Sequence, residues 1–134
     1  MNNIVYSSDN YTISEKIEAL FQDLVSRPGI EYVIICSSKT KEILKSTLPP
    51  EKARNIVEKI FDIYSGIIDR LKKYGKGASK LASLRIYFDN GKYLYLIRGD
   101  HILTIILQKS STMSATEEFL AQILRKIEQN LETI

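Results

Sequence analysis

The sequence predicts an α/β sandwich with its elements in the order α-β-β-α-β-β-β-α, built on one five-stranded antiparallel sheet with helices on its faces. Three observations carry that prediction. Residues 12–27, 51–74 and 114–134 repeat apolar side chains at helical spacing. Five short runs between them are rich in Ile, Val, Leu and Tyr and are bounded by polar, Gly, Pro or Asn residues. The 134 residues are 44% hydrophobic and 26% charged, the size and composition of one globular domain rather than a disordered chain or a disulfide scaffold.

Each element has a local cause. Residues 1–13 are polar apart from Ile4-Val5-Tyr6 and are expected to form a flexible lead to a single domain over 14–134. Thr12-Ile13-Ser14-Glu15 has the spacing of a capping box, in which each side chain satisfies a free amide of the first helical turn. Ile17, Leu20, Phe21, Leu24 and Val25 then mark one apolar face, and Pro28-Gly29 stops the helix. Glu31–Cys36 is apolar on both faces, whereas the returning strand Glu42–Thr47 is half polar and suits a sheet edge. Pro49-Pro50 opens a helix from Glu51 to Tyr74 that Gly75 ends. Ser83–Phe88 alternates apolar and polar residues, and Asp89-Asn90-Gly91 is a hairpin signal. Lys92–Arg98 and Ile102–Leu107 complete the sheet, and Ser114-Ala115-Thr116-Glu117 caps an amphipathic helix over 114–134. Placing the strands that are apolar on both faces at the centre gives the spatial order second, first, fifth, fourth, third.

Composition narrows the chemistry. The start lacks the basic region and apolar stretch of a secretory signal, and no apolar run approaches the roughly 20 residues of a membrane span. A cytoplasmic protein without a transmembrane segment is expected. The net charge of +3 is too small a basic excess to point to nucleic acid. One Cys and one His exclude a His/Cys metal cluster, and no cofactor is expected. His101 beside Asp100 reads as a turn histidine, since no nucleophile motif accompanies it. Cys36, at the end of an apolar strand, reads as a core thiol. Gly75-Lys76-Gly77 follows a helix and precedes a strand, the reverse of a phosphate-binding loop. Arg70, Lys72, Lys73, Lys76 and Lys80 read as a solvated helix end, with a contact for phosphates or weak contact to an anionic membrane as the sharper alternative. Tyr87, Tyr93 and Tyr95 fall on neighbouring strands and are expected to share an aromatic face.

What remains points to association. The apolar residues of helix 51–74 span a stripe roughly 160° wide, against about 100° for a helix lying on one surface. One sheet face cannot bury all of it. The strand 83–88 is expected at an open edge, and an open edge invites pairing with another chain. Val57, Phe61, Tyr64, Ile68 and Leu71 of the helix, with Ser83, Arg85 and Tyr87 of the strand, are therefore the expected dimer interface.

The order of elements, with Arg27-Pro28-Gly29-Ile30, Tyr32-Val33-Ile34-Ile35-Cys36, Glu42-Ile43-Leu44-Lys45-Ser46-Thr47 and the three-strand run from Leu84 to Gln108, resembles the roadblock family. That family includes the roadblock light chain of dynein, bacterial mutual gliding protein B and Ragulator scaffold subunits. The resemblance covers about residues 14–134. It implies a profilin-like fold and a homodimer, or a heterodimer with a paralogue, that pairs the third strand and packs the second helices across a two-fold. It also implies a non-catalytic platform that biases the switch loops of a small Ras-like GTPase. A dynein-type motor light chain is the alternative within the family, and the extra helix 114–134 looks more like the GTPase-associated members. A small-ligand sensor or minor enzyme using His101 and the tyrosines is the alternative from another class.

Overall fold

A computed structural model of the chain describes residues 13–72 and 83–109, together with Gln122 and Arg125, which are helical. Residues 1–12 of the expected N-terminal lead, the loop around Gly75 and the rest of helix 114–134 lie outside these residues, whereas Ile13, expected in the lead, is the first residue of a helix. Helix α1 spans Ile13–Val25, and strands β1 (Ile30–Ser37) and β2 (Ile43–Ser46) follow. Helix α2 runs from Pro50 to Lys72. Strands β3 (Ser83–Tyr87), β4 (Lys92–Arg98) and β5 (Ile102–Lys109) complete an antiparallel sheet in the order β2-β1-β5-β4-β3. The expected order is observed, because the runs apolar on both faces occupy its centre and the half-polar strands its rims.

Alternation along the strands divides the core in two. Val33, Ile35, Tyr93, Tyr95, Ile97, Ile102 and Ile106 face Ile17, Leu20 and Leu24 of α1. Ile34, Cys36, Leu94, Leu96, Leu103 and Ile105 face Ala53, Val57, Ile60 and Tyr64 of α2. Each fully buried Ile, Leu or Val contributes about 1.5–3 kcal/mol. Every second residue of the central strands is thus committed to one helix or the other.

The turns close the frame. Gly29, at φ 85°, gives the left-handed step after α1, and its carbonyl accepts the Lys109 amide at 3.0 Å. Gly91, at φ 83°, sits in the β3–β4 hairpin, where the Phe88 amide donates to the Lys92 carbonyl at 2.9 Å. At the opposite end, the Ser38 hydroxyl donates to the Asp100 carbonyl at 2.8 Å and its amide to the His101 carbonyl at 2.9 Å. Two loops 62 residues apart are so pinned together.

Strand β2 is shorter than its sequence suggests. Lys45 pairs with Ile35 but Ile43 pairs with Cys36, so Leu44 is an extra, bulged residue. Beyond Ser46 the Thr47 hydroxyl accepts the Val33 amide at 3.0 Å, replacing a regular ladder bond.

Candidate functional site

The sequence's candidate catalytic groups do not converge. His101 lies in the β4–β5 turn, and its described role is to offer its carbonyl to Ser38. Cys36 is fully buried and burial pushes its thiol up to about 12, so it stays protonated and inert. Tyr64 is 2% exposed, and burial pushes its phenol up to about 12 against the opposing pull of Arg98. Among the described residues no cluster of His, Cys, Asp and Glu has the make-up of a metal site, and no helix is long and apolar enough to cross a membrane. A hollow of about 650 Å³ beside β2 is bordered by Lys41, Glu42, Leu44, Lys45, Leu48 and Arg54, with Glu42 as its one carboxylate and no His or Cys in its wall.

The sheet edges are the more informative surfaces. Strand β2 is four residues long, bulged at Leu44 and carries Lys45, all features that blunt an edge. Strand β3 is five residues long, in unbroken register with β4, and no described strand lies on its other side. Because Phe88 and Lys92 form a bonded pair, the antiparallel alternation turns the backbone groups of Ser83 and Tyr87 away from β4. Tyr87 and Phe88 are 58% and 46% exposed at this rim.

Helix α2 also leaves apolar surface uncovered. Its sheet covers Ala53, Val57, Ile60 and Tyr64, while Ile56, Phe61, Ile67 and Ile68 are half-buried and Ile63 is 41% exposed. At about 100° per residue, Ile56, Ile63 and Ile67 fall on one flank of the buried stripe and Phe61 and Ile68 on the other. Lys41 stands over the Phe61 ring at 5.4 Å from its centroid, partly roofing that second flank. The open flank is the one with Ile63.

No family sequence model and no curated protein sequence matches the chain. Solved structures do. A Roadblock/LC7 domain from Streptomyces avermitilis superposes with a TM-score of 0.69 at 16% identity, covering 85% of this chain and 96% of that one. MglB from Myxococcus xanthus gives 0.73 at 11% identity, over 89% of this chain and 97% of the other. The gliding protein MglB from Thermus thermophilus gives 0.70 at 12% identity, over 92% and 94%. The chain has the roadblock fold. At these identities the likeness concerns the fold alone.

Within this roadblock fold the expected interface residues fall in different places. Val57 and Tyr64, at 1% and 2% exposure, face their own sheet and are enclosed by their own chain, so they offer no surface to a second subunit. Phe61 and Ile68 are half-buried in the same cluster, and the side chain of Leu71 is outside the described ones. Ser83, Arg85 and Tyr87 lie on the rim but on the α1 face of the sheet, because alternation gives the α2 face to Leu84 and Ile86. Arg85 lies over the Tyr95 ring at 5.4 Å, and Tyr87 stacks on Tyr93 with centroids 5.3 Å apart. Tyr93 and Tyr95 follow at 6.4 Å, so the expected aromatic face exists as an intramolecular ladder. The residues missed were Ile63 with its neighbours Ile56 and Ile67. Their i, i+7, i+11 spacing is a seam signal within the wide stripe.

Proposed function

We propose that this chain is a non-catalytic scaffold of the roadblock type, working in the cytoplasm, that assembles with a second subunit and regulates a small Ras-like GTPase. The observation that carries the reading is the unblunted edge of β3 in a sheet whose other edge is blunted, together with the uncovered Ile63 seam of α2. An edge of this kind extends a sheet into a partner by main-chain hydrogen bonds, and the seam supplies apolar area. The GTPase part of the reading rests on the resemblance to mutual gliding protein B and its relatives, which the MglB neighbours support at the level of fold. Whether the second subunit is a copy or a paralogue is a matter of the surfaces that meet.

The test is a binding titration. Each Ras-like GTPase encoded in the same genome is loaded with GDP or a GTP analogue and titrated with the chain, following nucleotide release and hydrolysis. The expected result is nucleotide-dependent binding to one of them with a changed release or hydrolysis rate. Absence of binding in every nucleotide state would remove the GTPase from the reading.

A further inference from the structure

Charge is sorted on the outer surface of α2. At about 100° per residue, Lys52, Lys59 and Arg70 project within about 20° of one another. All three are exposed, and among the described residues none takes part in an ion pair. They form a ridge about 45° from the Ile56, Ile63 and Ile67 seam, and no carboxylate falls on that flank. The acidic residues Glu51, Glu58, Asp62 and Asp69 are exposed on a separate ridge about 90° further round. Gly66 lies beside the basic ridge. A Cβ built there meets nothing within 4 Å, so the chain itself has no steric need for glycine in the middle of this helix. Gly66 lies on the far side of that ridge from the isoleucine seam, about 80° round the helix, so no side chain there obstructs approach to the basic ridge.

We propose that this flank of α2 docks an acidic helix of a non-identical protein, seated on the isoleucine seam with its carboxylates against Lys52, Lys59 and Arg70. The proposal rests on the reading that α2 and the β3 edge form an interface, and it states the chemistry of what meets them. A second copy is a poor occupant for an electrostatic reason. A two-fold that continues the sheet through β3 lays α2 antiparallel beside its copy and brings like flank against like flank. Three cations would then face three cations, with the acidic ridges turned away. Like charges across a helix pair are destabilising, and opposite charges reverse the sign.

The chain itself supplies the probe. The triple variant Lys52→Glu/Lys59→Glu/Arg70→Glu is a copy of the chain with an acidic flank, altered only at exposed positions. Circular dichroism melting confirms that it folds. Dissociation constants are measured by sedimentation for wild type alone and for wild type mixed with the variant, at low and high salt. The expected result is a mixed pair about tenfold tighter than the wild-type pair at low salt, with the advantage fading as salt screens it. Equal affinities of the wild-type and mixed pairs would overturn the charge selection while leaving the interface reading intact. No assembly in any combination would remove the interface reading itself. Binding of wild type to phosphatidylserine vesicles without a mixed pair would overturn the proposal in favour of a lipid surface.

Discussion

Tyr64 sits in the buried stripe of α2 with its hydroxyl enclosed and without a hydrogen-bond partner, and the Arg98 guanidinium lies 5.8 Å from its ring centroid. An unmade hydrogen bond to a buried hydroxyl costs about 1–3 kcal/mol, so removing the hydroxyl relieves that cost while keeping the ring. Tyr64→Phe is expected to be neutral or stabilising by up to about 1 kcal/mol in urea unfolding at neutral pH. A clear loss of stability would mean that the hydroxyl is held by a group that crystallography or exchange measurements should reveal. The same residue predicts an alkaline effect. Its phenol is raised from 10.0 to about 12 by burial, so the unfolded chain ionises first. Its contribution is intact below pH 10.0 and is lost as pH rises towards 12. Tyr64→Phe should therefore lose less stability than wild type over that interval, which paired denaturation curves would show.

Among the elements, α2 has the most to test. Gly66 in a helix interior costs about 1 kcal/mol relative to alanine, and a methyl group there has open space. Gly66→Ala should raise the melting temperature of the chain, and an unchanged or lowered value in a thermal melt would mean that the position needs glycine. Ile63→Glu should leave the fold intact, since the residue is 41% exposed, and abolish assembly with the charge-reversed Lys52→Glu/Lys59→Glu/Arg70→Glu copy, measured by light scattering. Unchanged assembly would place the seam outside the interface. The strand order was legible because the Tyr32–Cys36 and Ile102–Leu107 runs are apolar on both faces. The faces of Ser83, Arg85 and Tyr87 were equally legible, since strand periodicity sets them opposite Leu84 and Ile86. Two features were not. The bulge at Leu44 depends on how β2 registers against β1, and the uncovered flank of α2 depends on where the sheet meets the helix. Periodicity gives a stripe's width and leaves open which side of it is roofed.

At the scale of the whole molecule, the unit consists of two antiparallel pieces joined at the centre of one sheet. Strands β1 and β2 form the first piece and β3, β4 and β5 the second, and the β1–β5 ladder from Ile30 with Gln108 to Ser37 with Ile102 is their seam. Helix α2 lies between them in sequence and covers both, with Ile34, Cys36, Leu94 and Leu103 in one cluster. A fragment ending at Lys72 keeps α1 and α2 but lacks β5, the neighbour that pairs with β1 along Ile30–Ser37. Its β1 amides should exchange faster than in the whole chain, and equal protection would contradict this account of the sheet. On the ribosome, the most apolar strand of the first piece emerges long before the neighbour that will shelter it. Until β5 is made, nascent β1 is an adhesive ribbon, so the living cell must shield the half-finished chain, with a chaperone or with speed.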